Sequence, residues 1–163
     1  MTKFKYYLRR VFYSLFVENF NKKIKYDWES LPRRYDIINK IISKRNYLSY
    51  LEIGCFQNEN FDQINIKNKI GVDPVSGGNV RMTSDQFFKK NSNKFDIIFI
   101  DGLHVYEQVI KDIFNSIKIL NQNGIILIHD CLPRKLWYQT PTRMSNTWNG
   151  DVWKAIVECR TLE

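Results

Sequence analysis

The chain has 163 residues, 44% of them hydrophobic and 26% charged, the length and balance of about one ordinary globular domain. Its three cysteines, Cys55, Cys131 and Cys159, are odd in number and form no CxxC pair. That argues against a disulfide framework or a zinc ribbon and fits a reducing, cytoplasmic setting. The net charge of +8 is confined to one end: residues 1–50 hold 12 Lys/Arg against 4 Asp/Glu, whereas residues 51–163 hold 13 of each. A nucleic-acid groove through the body of the chain is therefore not expected. No apolar run of about 18 residues predicts a spanning helix, and no apolar stretch with a small-residue cleavage site predicts a signal peptide.

Along the chain, residues 3–20 place Phe4, Tyr7, Leu8, Val11, Phe12, Leu15 and Phe16 at i, i+3, i+4 spacing, which predicts an amphipathic helix. Lys3, Lys5, Arg9 and Arg10 supply its polar side. Such a helix packs on its own domain or on a partner subunit, or lies on an anionic membrane surface. Residues 21–30 read as a linker. Pro32 suits a first helical turn, and a second helix should run through Tyr35, Ile37, Ile38, Ile41 and Ile42. Residues 1–47 are thus expected to form a basic helical extension to a domain spanning 48–163.

The pattern then changes. Tyr50–Gly54, Lys69–Asp73, Phe95–Asp101 and Ile125–Asp130 read as short buried strands, with a weak further strand near Val80-Arg81-Met82. Thr83 or Ser84 should cap a short helix carrying Phe87 and Phe88. Residues 105–120 repeat apolar positions at helical spacing, and Asn121–Gly124 reads as a turn. Residues 131–150, with Pro133, Trp137, Pro141 and Trp148, read as an irregular loop before a last helix near Asp151. Strands alternating with helices predict βαβ units, a mainly parallel sheet and helices on both faces. In such α/β sheets ligands sit at the carboxyl ends of the strands.

Chemistry-bearing residues collect at those ends. Glu52 and Gly54 close the first strand, and Gly54 allows a ligand close to the backbone. Asp73 closes the second, where an acid can accept hydrogen bonds from ribose hydroxyls. The alternative for Glu52 and Asp73 is an ordinary strand-end acid. No GxGxxG is present: Cys55, Phe56, Gln57 and Asn58 follow Gly54. That weakens the case for a dinucleotide, whose pyrophosphate needs such a turn. Asp101-Gly102-Leu103-His104 and His129-Asp130 form a second group at the next two strand ends. Carboxylates with imidazoles suit a hard or borderline divalent cation, and His104 has the right proton affinity for a general base. The bland alternatives are helix capping by His104 and a buried, satisfied His129.

LEIG, GVDP, MTSDQFF, FDIIFIDGLHVYEQVIKDI, GIILIHDC and WNGDVWKAI, in that order over residues 48–160, resemble small bacterial class I S-adenosylmethionine-dependent methyltransferases, whose genes often lie among those for sugar and cell-envelope metabolism. The resemblance implies a Rossmann-like α/β fold with strand order 3-2-1-4-5. The antiparallel hairpin that closes such sheets has no visible counterpart after residue 160. It implies S-adenosylmethionine as cofactor, with Glu52 and Gly54 at its methionine end, Asp73 on the ribose, Ser84 or its neighbours near the adenine, and Asp101 in contact. Asn58 stands where many relatives have Gly and should tolerate the same left-handed turn.

The second group is similar to metal-dependent sugar O-methyltransferases. The likeness implies Asp101 and Asp130 as ligands of Mg²⁺ or another divalent metal and His104 as the base, with His129 replacing an acid of that pattern. The expected activity is O-methylation of a sugar-containing small molecule or glycan intermediate. The expected setting is cytoplasmic, with peripheral contact at the inner membrane face through residues 1–20, and a homo-oligomer is an open expectation. The rivals are a nucleotide-sugar- or NAD-binding Rossmann-like domain and a non-catalytic, truncated relative.

Overall fold

The computed structural model describes residues 3–17, 27, 30–143 and 146–162. They form two compact units. The sheet unit comprises Pro32–Leu103 and Glu107–His129; the appended unit comprises Met1–Leu31, His104–Tyr106 and Asp130–Glu163.

Four parallel strands build the sheet: β1 (Ser49–Ile53), β2 (Asn68–Val72), β3 (Phe95–Ile100) and β4 (Leu120–Ile128), in the order β2-β1-β3-β4. This is a Rossmann-like α/β arrangement. All five residues of β1 and all but Asp96 of β3 are buried. The near-continuous apolar runs arise because central parallel strands have both faces covered. The weak strand near Val80 amounts to a single parallel bridge between Val80 and Val72. The sheet therefore keeps the expected order with its outermost member reduced to one pair. Only one residue pairs because Gly77 and Gly78, both at positive φ, turn the chain immediately before it.

Asn121–Gly124, expected as a turn, lie inside β4 as a bulge. Phe95 pairs with Leu120 and Ile97 with Ile125, so six residues of β4 face three of β3. Asn123 takes φ 64° there, a left-handed conformation that Asn tolerates better than most. Turn chemistry is thus present, but the flanking apolar residues keep strand pairing on both sides of it.

Helix α2 (Arg34–Arg45) starts two residues after Pro32. Asp36 accepts the Arg33 N–H at 3.0 Å, fixing the first turn. Its Ile38 and Ile42 are buried with Tyr50, Phe61, Ile64, Ile97 and Phe99. The expected boundary at residues 47 and 48 differs from this partition: α2 lies in the core of the sheet unit. Helix α3 (Ser84–Lys90) is capped by Thr83, whose Oγ1 accepts the Gln86 N–H at 3.2 Å while Gln86 returns a bond to the Thr83 N–H. Helix α4 spans Tyr106–Lys118 and buries Val109 and Ile113 within the sheet unit.

In the appended unit, helix α1 (Lys3–Phe12) continues as a π-helical turn over Tyr13–Val17, and α5 spans Val152–Cys159. The rest of the helix expected over 3–20 lies outside the described residues. No described helix is long and apolar enough to cross a membrane.

Candidate functional site

Two loops of the sheet unit meet at the carboxyl edge of β1 and β2. Gly54 follows β1 with φ 87°. A Cβ there would stand 2.2 Å from the Asp101 carbonyl oxygen and 2.5 Å from Gly102 Cα, so the ends of β1 and β3 converge only because residue 54 lacks a side chain. Phe56 and Asn58 also take positive φ, 46° and 64°. Asn58 supports the expected left-handed turn, and its Oδ1 accepts the Gly78 N–H at 2.6 Å. Phe56 is a bulky residue in that region, and such strain is held only where surrounding contacts over-determine it.

Those contacts come from Asp73. Its Oδ2 accepts the N–H groups of Cys55 and Phe56, both at 3.0 Å, and its Oδ1 those of Val75 and Ser76 at 2.8 and 2.9 Å. Burial works against its ionised form, but these four backbone donors outweigh it and hold the carboxyl below its ordinary range. Asp73 thus knits the loop after β1 to the loop after β2. Arg81 donates to the Asp73 backbone carbonyl at 3.0 Å. Gly77 and Gly78 complete the packing, since a Cβ on Gly77 would fall 2.1 Å from the Phe56 carbonyl oxygen across the seam and one on Gly78 2.3 Å from that of Gly71 in β2. The sequence marked Asp73 but not this glycine pair, whose signal was only its turn chemistry.

Glu52 is 1% exposed, so it is not a strand-end surface acid. Its carboxylate accepts from the Tyr50 hydroxyl and, at 2.9 Å, from Asn60 Nδ2. Burial pushes its pKa up to about 7 despite those bonds, with Asp101 raising it and Arg34 lowering it. Asn60 is itself buried, and its Oδ1 lacks a hydrogen-bond partner.

Asp101, directly after β3, accepts from Arg34 at 2.7 Å on Oδ2 and faces His129 Nδ1 at 3.1 Å on Oδ1. The register explains the second contact: Ile100 pairs with Ile128, so the next residues of both strands are neighbours. Arg34 was not singled out from the sequence. It lies 67 residues from Asp101, and only the docking of α2 brings it there.

Ser84 is tied into a different network. Its hydroxyl accepts from Gln108 Nε2 at 3.2 Å, and Gln108 also donates to Asp85 and Asp112. Asp112 is 1% exposed. Burial lifts its pKa to about 6, opposed by hydrogen bonds from Ser84 and Gln108. Ser84 therefore joins α3 to α4.

His104 and Asp130 belong to the appended unit. His104 Nδ1 lies 3.2 Å from Asp130 Oδ2 and 3.2 Å from the Trp148 carbonyl oxygen, and its ring stacks on Trp148 at 5.3 Å. Asn149 donates to Asp130 Oδ1 at 2.8 Å. Gly150, at φ 62°, touches the His104 backbone so closely that a Cβ would stand 1.7 Å from its carbonyl oxygen. Asp151, 3% exposed, accepts the Tyr106 N–H at 2.7 Å. Trp148 to Asp151 thus form a clamp that stacks, orients and encloses His104. The segment stood out in the sequence, but these roles depend on contacts more than 40 residues apart in the chain. Asp151 caps the first N–H of α4.

A family model described as a methyltransferase domain matches residues 45–131. Uncharacterized protein R132 of Acanthamoeba polyphaga mimivirus is 30% identical to the chain over 117 residues, with 53% of each protein covered. The chain spans about half the length of that curated relative.

Proposed function

Because the chain belongs to the methyltransferase domain family, we propose that it transfers a methyl group from S-adenosylmethionine to a hydroxyl on a sugar-containing small molecule or glycan intermediate. One observation carries the cofactor part. Glu52, Gly54 and the loops knitted by Asp73 lie together at the carboxyl edge of a parallel sheet, the edge where α/β folds hold their ligands. The polar groups there suit a phosphate-free, cationic cofactor. Glu52, Asp73 and Asp101 are acids, and Arg34 is a guanidinium matched to a carboxylate. The glycine-rich phosphate turn of a dinucleotide site is missing from the sequence after β1.

When bound, S-adenosylmethionine supplies an electrophilic methyl on sulfonium. In this reading Glu52 and Asp101 face its methionine end, with Arg34 taking the carboxylate. Gly54 leaves the backbone open to close approach. Asp73 shapes the loops at the nucleoside end, and a ribose hydroxyl bonding to it exchanges with one of its backbone donors. Ser84 sets the start of α3 beside the adenine. His104 removes the acceptor proton. An imidazole whose Nδ1 faces a carboxylate is held in one orientation.

In this reading Asp101 and Asp130 carry the carboxylate donors that Mg²⁺ or another divalent metal would take. Asp101 already faces Arg34 and His129, and Asp130 faces His104 and Asn149. Arg34 is held on Asp101 at 2.7 Å, and no step is routed through a metal. Calorimetric titration with S-adenosylhomocysteine tests the cofactor reading. Saturable binding at one site per chain is expected, unchanged by a chelator. Folded protein that gives no heat with this ligand but binds NAD or a nucleotide sugar would replace the reading with the Rossmann-type rival.

A further inference from the structure

We propose that the appended unit docks on an anionic lipid surface through α1 and the adjoining Trp137 segment. Phe4, Tyr7, Leu8 and Val11 form one stripe at helical spacing, yet the stripe is turned to solvent: Phe4 is 70% and Leu8 52% exposed. Phe16, in the following π-helical turn, is 60% exposed. Residues 3–17 carry four cations, Lys3, Lys5, Arg9 and Arg10, and no acid.

Arg10 lies over the Trp137 ring at 5.2 Å, and Lys135 over the same ring at 4.8 Å. Leu132, just before, is 74% exposed. An aromatic and aliphatic face edged by cations, with a tryptophan among them, is the chemistry of a helix lying at a negatively charged headgroup boundary. A second copy of the chain is a poorer occupant, since a helix of ten residues falls short of the three or more heptads, roughly, that a coiled coil needs. This inference does not depend on the identity of the cofactor.

Flotation of the full chain with vesicles tests it, using phosphatidylcholine alone and phosphatidylcholine mixed with phosphatidylglycerol. The chain is expected to float only with the anionic vesicles. Lys5→Glu with Arg9→Glu should weaken partitioning by about 30-fold or more, at about 1 kcal/mol for each cation. Phe4→Ser with Leu8→Ser and Val11→Ser should weaken it by roughly tenfold or more. All five side chains are exposed, so an unchanged melting temperature accompanies both variants. Failure to float with anionic vesicles overturns the proposal, as does flotation of both variants like the parent. A concentration-dependent dimer that the serine variant dissolves, with vesicles left unbound, would assign the face to a second copy instead.

Discussion

Glu52 couples one buried carboxyl to the pH dependence of stability. Its pKa of about 7 lies above the ordinary 4.5 because it is buried. A carboxyl raised on folding stabilises the fold fully below the unfolded pKa, and that contribution is lost as pH rises through the folded value. Unfolding free energy should therefore fall by about 1.5 kcal/mol between about pH 6 and 8. Chemical denaturation of Glu52→Gln should lack most of that slope; a slope equal to the parent's would remove Glu52 as its source. A cationic ligand favours the ionised form, so its affinity should rise over the same interval in the parent and stay flat in the variant.

Gly54 makes a sharper test of geometry. With φ 87° and a backbone oxygen 2.2 Å from any Cβ, Gly54→Ala should cost about 3 kcal/mol or more and abolish S-adenosylhomocysteine binding. A variant that binds normally would mean that the ends of β1 and β3 need not converge.

Elements differ in what holds them. Asp96, second in β3, and Asp101, directly after it, do opposite work. Asp96 accepts from the Leu48 N–H, the Ser49 N–H and hydroxyl, and Asn121. It thereby locks the amino ends of β1, β3 and β4, away from the carboxyl edge. Asp101 sits at the carboxyl end, paired with Arg34 and His129. Both acids were visible in FDIIFID, and only the parallel strand direction separates scaffold from site.

The start of α4 depends on a residue far along the chain, because Asp151 accepts the Tyr106 N–H and pairs with Lys154 at 2.9 Å. Loss of such a cap costs about 1–2 kcal/mol. Thermal unfolding should show that loss in Asp151→Ala and recover most of it in Asp151→Asn, which keeps an acceptor oxygen. Equal destabilisation by both would point to the ion pair rather than the cap.

Across the whole molecule, charge and chemistry are divided along the sequence. The net +8 belongs to residues 1–50, and residues 51–163 are balanced. At about 1 M salt the screening length shrinks to about 3 Å. Vesicle binding should then collapse, while the proposed S-adenosylhomocysteine binding should change much less. If both fell together, the division would be wrong.

The sequence by itself determined the strands, the helices, their alternation and the strand ends where Glu52, Gly54, Asp73 and Asp101 stand. These follow from local periodicity and from the both-sides burial of parallel strands. It also carried a cap at Thr83 or Ser84 and the left-handed Asn58, because each rests on the properties of a few adjacent residues. Tertiary structure alone decided that Arg34 faces Asp101, that Tyr50 and Asn60 enclose Glu52, and that Asp73 spends four bonds on backbone. It decided too that Trp148 to Asp151 clamp His104, and that Asn121–Gly124 bulge within β4 rather than precede it. Each of these is a contact between segments distant in the chain, set by register and helix docking, and no local pattern encodes which distant partner a side chain will meet.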